Sequence, residues 1–471
     1  MEAGPGTLPG LAMEAAVLYR APLLSARSLD QLAFEADGGL LVGPEGRIEA
    51  AGPFEALRAA RPEAQVQDLR PHWILPGLVD LHAHLPQVEA VACDGLELLP
   101  WLETHIFPAE VRFADPDHAR RVARRYLHDA LALGTTTAVL YGTTHAEATD
   151  AMFQEAERAG IRAVIGKTMM DRHAPPALLE SAEASLRESE LLCEAWHGRD
   201  HGRLGYAFTP RFAPSCTPEL LSGAGGLAEK HGAFVQTHLS ENLEELAWVQ
   251  DLFPEAASYT DVYRRAGLLG PRTLLGHGIH LSAQERRLLR DSGASLVHCP
   301  SSNAFLQSGI MPLRSWLAEG LGVGLGTDVG AGPSLSMFKE MAQACTASKL
   351  RRAGQQVQAA RIWGLADFDE AQKLRLCEAL DLGPDPTLPA IGAFHLATRG
   401  GAAALGWSDR IGGLEAGMDA DFLVVDPRRC DPLGEVPTDP ARALARLVYR
   451  SDAQMVRQTF VRGRRCQHRE G

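Results

Sequence analysis

The stretch Pro76-Gly77-Leu78-Val79-Asp80-Leu81-His82-Ala83-His84 decides how the rest of the chain is read. An apolar run, 74–81, ends in two histidines one residue apart. Side chains alternate faces along a β-strand, so His82 and His84 point the same way. Two imidazoles side by side suit a single metal ion. An isolated H-x-H is as readily a surface strand, so the weight falls on what the other strands end in.

Outward from this stretch, strand-like runs alternate with amphipathic helical stretches from 76 to 406. Runs at 135–140, 162–166, 204–209, 233–237, 273–276, 295–298 and 323–327 join the one ending at His82, making eight. Helical patterns at 117–133, 183–196, 219–231 and 283–292 fall between them. Eight β-then-α units predict an α/β fold, a (β/α)8 TIM-type barrel. A doubly wound open sheet shares the alternation, but no G-x-G-x-x-G follows the first strand.

The two ends of the chain read differently. Short apolar runs cut by Gly and Asp, at 16–20, 39–43, 47–50, 421–425, 445–449 and 456–461, predict strands. They are expected to join in one small β-sandwich domain flanking the barrel. Residues 1–12 are expected to be disordered. Residues 13–75 and 407–471 would form the β domain, and 76–406 the barrel. A polar, helix-prone insertion at about 351–390 ends in Gly383-Pro384-Asp385-Pro386.

The chain has 471 residues and a net charge of −13, which argues against a nucleic-acid-binding surface. Its basic residues are almost all arginine, with five lysines, and they are scattered. Eight dispersed cysteines without C-x-x-C fit reduced thiols in the cytoplasm. No apolar run reaches membrane-spanning length, and no basic segment precedes an apolar one at the N-terminus. The expectation is a cytoplasmic protein with neither nucleic-acid nor membrane partners.

Catalytic groups of such barrels sit at the C-terminal ends of the strands. There the sequence places His82 and His84, then Arg211-Phe212, His238, His277, His298 and Asp328. So many metal-competent groups at strand ends are not a chance pattern. Nitrogen and oxygen ligands without thiolate fit Zn²⁺, with Fe²⁺ as the alternative. Glu241, three residues after His238, is placed like a general acid/base. Its simpler reading is a carboxylate near a helix N-terminus.

These residues resemble the amidohydrolase superfamily, as does the closing stretch Leu414-Glu415-Ala416-Gly417-Met418-Asp419-Ala420-Asp421-Phe422-Leu423-Val424. Within it the chain is most similar to the guanine deaminase family, from about 76 to 406. The specific stretches include His84-Leu85-Pro86-Gln87, Phe107-Pro108-Ala109-Glu110, Thr209-Pro210-Arg211-Phe212, His238-Leu239-Ser240-Glu241-Asn242 and Gly326-Thr327-Asp328-Val329. The resemblance implies hydrolytic deamination of guanine to xanthine and ammonia by a zinc-activated hydroxide. It implies one Zn²⁺ held by His82, His84, His238 and Asp328. Glu241 would shuttle protons, with Asp328 assisting, and His277 would orient the hydroxide or stabilise the tetrahedral intermediate. Gln87, Arg211 and Phe212 would hold the purine, and the chain would form a homodimer. Physical chemistry agrees: guanine O6 and N7 accept from an arginine, a phenyl ring stacks on the base, and an amide offers donor and acceptor.

Other readings compete. Lys167 closes the third strand, and a carboxylated lysine bridges two metals in related enzymes, normally from the fourth strand. His145-Ala146-Glu147 matches the H-x-E of an unrelated deaminase type, but the accompanying P-C-x-x-C is absent. The substrate could be another aminated heterocycle, such as a triazine, cytosine or an adenosine derivative. A non-catalytic barrel would have lost ligands, and none is missing. The stretch Gly330-Ala331-Gly332 and the long insertion depart from the family pattern.

Overall fold

In the computed structural model, eight parallel strands follow one another in chain order around a barrel. They are β1 (Leu78–His84), β2 (Thr135–Tyr141), β3 (Arg162–Gly166), β4 (Leu204–Pro210), β5 (Phe234–Leu239), β6 (Thr273–His277), β7 (Ser295–His298) and β8 (Gly322–Leu325). The structure describes residues 15–380, 382 and 386–466. The 1–12 stretch expected to be disordered, and Gly383-Pro384-Asp385 of the insertion, lie outside the described residues. The seam between β8 and β1 is closed beyond the end of β8. There the Asp328 N–H donates to the His82 carbonyl (2.7 Å) and the His84 N–H to the Val329 carbonyl (3.2 Å).

β1 and β2 are buried along their whole length, as strands covered on both faces must be. Val79, Leu81, Val139, Val164, Ala207, Phe234, Leu274 and Val297, drawn from seven neighbouring strands, meet in one apolar cluster. Only the barrel interior lets seven strands converge. The register of β1 against β2 shifts between Asp80 and Ala83. This bulge lets Leu81 face the apolar interior and the next residue, His82, face the polar space above it.

The surrounding helices carry the signals that start and stop helices. Asp115 caps Pro116–Ala132 by accepting from the Asp117 N–H. Ser282 and Glu285 form a capping box on Ala283–Ser292, which Gly293 ends in the left-handed conformation. In Pro116–Ala132, Ala119, Ala123, Tyr126, Leu127, Ala130 and Leu131 are buried, a stripe at helical spacing.

Both chain ends contribute to a second sheet of eight strands. Trp73–Pro76 lies antiparallel to Phe422–Val425, joining the two ends. Tyr19 and Phe460 lie on strands three places apart, a separation of about 14 Å in a flat sheet. Their rings are 5.5 Å apart, so the sheet curls over its own core of Tyr19, Leu40, Ile48, Phe422 and Phe460. Trp73–Pro76 runs straight into β1, and the Gly77 N–H donates to the Asp421 carbonyl (2.9 Å). Arg162 at the start of β3 is fully buried and pairs with Asp419 (2.8 Å) and Asp421 (3.1 Å).

The strand predicted at 445–449 is corrected by the structure: it is the end of a helix, Pro440–Tyr449. Asp439 caps it, Pro440 starts it, and Ala443, Leu444, Leu447 and Val448 are buried on one face. The run Leu447-Val448-Tyr449 resembles a strand only when that four-residue spacing is overlooked. Arg351 falls inside a helix, Met337–Trp363, which packs against Glu370–Ala379.

Candidate active site

At the C-terminal mouth of the barrel, His82 and His84 from β1, His238 from β5 and Asp328 beyond β8 converge. One ligand atom from each lies within 4.8 Å of all the others. His84 Nε2 and His238 Nε2 are 3.1 Å apart, and Asp328 Oδ1 is 3.3 Å from Nε2 of both His82 and His84. Two further features prepare these groups. His238 Nδ1 donates to the Arg211 carbonyl (2.6 Å), leaving its Nε2 lone pair facing the cluster. His82 Nε2 is buried and, apart from the 3.3 Å approach of Asp328 Oδ1, has no hydrogen-bond partner.

Charge follows the same logic. Burial lowers the pKa of His82 to about 4 and depresses those of His84 and His238, so all three stay neutral, the ligating form. Asp328 is buried too, yet the imidazoles of His82 and His84 hold it well below the usual carboxylate range. Three neutral imidazoles and one carboxylate, with an orphaned nitrogen among them, fit a divalent cation.

Room for His82 is made by a neighbour. A Cβ on Gly276 would sit 2.8 Å from His82 Cε1, so a larger residue there would have to displace the ring. Next to it, His277 takes a positive φ of 66°, as do Ser240 (49°) and Asp328 (49°). Strained backbone at three places around one pocket is the pattern of a site whose side chains are aimed at a cost.

Glu241 and His277 stand beside the cluster. Their Oε2 and Nε2 atoms are 3.4 Å apart, and His277 Nε2 is 3.7 Å from Asp328 Oδ2. His277 Nδ1 is held by Asn303 Oδ1 at 2.8 Å, and Ser308 Oγ donates to Glu241 Oε1 at 3.1 Å. Burial pushes the Glu241 carboxyl up to about 7. Glu245 fixes the backbone below it, accepting from the N–H groups of Glu241 and Asn242. The arrangement can hold and release a proton near neutral pH.

The rest of the pocket is a cleft of about 420 Å³, mouth included, lined by Gln87, Trp101, Arg211, Phe212 and Leu306 together with the groups above. Gln87 sits on the short helix Leu85–Ala90 that follows β1, and Arg211-Phe212 on the segment after β4. His84, Gln87, Arg211, Phe212, His238, Glu241, His277 and Asp328 line this cleft, with His82 against them. His298 does not: it is buried behind, held neutral with its pKa at about 3 by burial and by His277. Lys167 is ion-paired with Glu180 and lies 3.8 Å from Glu188, away from the four-ligand cluster. His145 and Glu147 line a separate cavity.

Several supporting residues escaped the sequence reading. Asn303 and Ser308 carry no local signal. Asn242 and Glu245 form a capping box, a pattern the sequence does display. Asp80 accepts from the N–H groups of His82 and Thr327, tying β1 to the Asp328 segment.

Residues 73–363 and 367–466 match the model of the amidohydrolase family. The chain belongs to this family. It is 37% identical over 434 residues to the guanine deaminase of Escherichia coli, covering 91% of each chain. It is 34% identical over 409 residues to that of Rattus norvegicus, covering 85% of this chain and 84% of the other. The solved guanine deaminase of C. acetobutylicum, with guanine bound in its active site, superposes with a TM-score of 0.85. It is 31% identical, with 96% of this chain and all of that one covered.

Proposed function

We propose that this chain is a guanine deaminase, hydrolysing guanine to xanthine and ammonia. The observation that supports it best is the convergence on one cleft of a four-ligand cluster, a proton-transfer pair and a set of side chains suited to a purine. The similarity to guanine deaminases over nearly the whole chain points the same way.

In this reading His82, His84, His238 and Asp328 hold one Zn²⁺. The ion supplies Lewis acidity that makes water nucleophilic near neutral pH. Glu241 accepts the proton of that water and delivers it to ring N3, while attack falls on C2. His277, held by Asn303 and with its pKa raised by Glu241 and Asp328 against the effect of burial, orients that water or stabilises the tetrahedral intermediate. Asp328 helps pass the second proton to the leaving amine. Arg211 donates to the oxygen-bearing edge of the base, Gln87 binds a ring edge and Phe212 covers a face. Trp101 and Leu306 keep the cleft apolar and limit water.

The protein works in the cytoplasm as a homodimer in this account. Among the described residues no helix is long and apolar enough to cross a membrane. Leu350, Val357, Trp363, Phe368 and Leu374 present exposed apolar surface on the two-helix insertion, which suits burial against a second copy.

The test is ammonia release from a panel of guanine, adenine, adenosine, cytosine and an aminotriazine. Guanine should be preferred by at least a hundredfold in kcat/KM. Equal or better turnover of another ring would replace this function.

A further inference from the structure

We infer that Glu110 is a positioning residue for base recognition, locking Gln87 and Arg211 into one charge-balanced donor–acceptor unit. The inference rests on the proposed function and deepens it.

Glu110 sits on the helix Phe107–Val111 and is 2% exposed. Its carboxylate accepts from Arg211 Nη1 with both oxygens, at 2.8 Å each, and from Gln87 Nε2 at 2.7 Å. Among the described residues it is the only carboxylate ion-paired with Arg211. Phe107, on the same helix, places its ring centroid 5.6 Å from the guanidinium carbon. Two side chains that line the cleft from different parts of the barrel, after β1 and after β4, are thus anchored to the same buried group.

Two consequences follow. The first is directional. A carboxylate accepts only, so it turns the Gln87 amide with its nitrogen inward and leaves Oε1 as the free end. Gly330 leaves room for the amide oxygen in this orientation: a Cβ there would come within 2.3 Å of it. Gly330 takes a φ of 126°, a conformation that favours glycine at this place. The pair therefore offers an acceptor, Gln87 Oε1, beside donors, the remaining Arg211 N–H groups. That arrangement complements a lactam edge, with its N–H beside a C=O, and mismatches an aminopyrimidine edge of opposite polarity.

The second consequence concerns charge. A lone buried arginine would attract anions, but Glu110 balances it. The cleft then favours a neutral purine over an ionised one. Xanthine ionises in mildly alkaline solution more readily than guanine does, so the same carboxylate weakens retention of the product as pH rises.

The test compares the wild-type holoenzyme with Glu110→Gln and Glu110→Asp, measuring metal content, kcat and KM for guanine, and inhibition by xanthine at pH 6 and pH 9. Glu110→Gln should keep its metal and raise KM for guanine at least tenfold, with kcat changed less. Xanthine should inhibit the wild type more weakly at pH 9 than at pH 6, and this order should reverse in Glu110→Gln, where Arg211 is unbalanced. Glu110→Asp should restore the wild-type order in part. In the Glu110→Gln background, Gln87→Ala should cost less than threefold more in kcat/KM. A wild-type pH order in Glu110→Gln, or additive losses, would overturn the inference while leaving the guanine activity standing. Absence of guanine turnover by the wild type would instead remove the function on which it rests.

Discussion

The Asp328 N–H donates to the His82 carbonyl across 2.7 Å, so one of the bonds that close the barrel also joins two residues of the four-ligand cluster. A cation bound there bridges β1, β5 and the end of β8 at once. Removing it takes a ligand from the folded state alone, which lowers apparent stability by RT ln(1 + [L]/Kd), about 2.7 kcal/mol when [L] is a hundred times Kd. Dialysis against a strong chelator should abolish turnover and lower the melting temperature by a few degrees, and added Zn²⁺ should reverse both. Unchanged melting after verified metal removal would show that the cluster holds no ion.

Glu241 should act through its proton rather than through binding. Glu241→Gln is expected to lower kcat by about 10²–10⁴-fold. Metal content, and KM within a few-fold, should stay as in the wild type. Near wild-type turnover in a metal-loaded variant would remove the proposed role.

The pH profile should carry the same signature. Glu241 must be ionised to accept a proton, and burial raises its pKa from 4.5 to about 7, with Asp328 and Glu245 adding to the rise and His277 opposing it. The rate should therefore fall as pH drops through the pKa. A cation in the neighbouring cluster favours the carboxylate and moves that acid limb below 7. A single-proton limb in kcat/KM that disappears from the residual activity of Glu241→Gln is the expected result.

Gly276 guards the space of the His82 ring, at 2.8 Å from a Cβ to Cε1. Gly276→Ala should tilt that ring, weaken metal affinity by roughly 10–100-fold, as misplaced ligand supports do, and leave the fold cooperative. Competition with a metal-indicator dye measures the affinity directly.

Arg162 ties the barrel to the flanking sheet. Removing its charge leaves Asp421, almost fully buried, without its guanidinium partner, and Asp419 with only the longer contacts to Arg410 (3.6 Å) and Arg47 (3.9 Å). Arg162→Met should cost about 3–5 kcal/mol, read from the midpoint of urea unfolding, while replacing Asp419 and Asp421 with Asn in the same chain should recover part of it.

Much of this was legible in the sequence because the barrel writes its periodicity into the chain. Strand-then-helix repetition, with His238, His277 and Asp328 at or just beyond strand ends, placed the site without any contact being seen. Three kinds of information were not legible. Curling of the terminal sheet depends on pairing between residues 73–76 and 422–425, which no local pattern encodes. The end of the helix Pro440–Tyr449 reads locally as a strand because its last apolar residues are adjacent in sequence. Glu110, Asn303 and Ser308 act through contacts 23 to 101 residues away along the chain, and only folding reveals a partner at that distance.

The central claim is tested most directly by the products of one reaction. Guanine incubated with the purified chain should yield xanthine and ammonia in a one-to-one ratio. The yield should fall to background in the chelated protein and return when one Zn²⁺ is bound per chain. Failure to form xanthine with the zinc site filled, or undiminished formation with the site empty, would contradict the account.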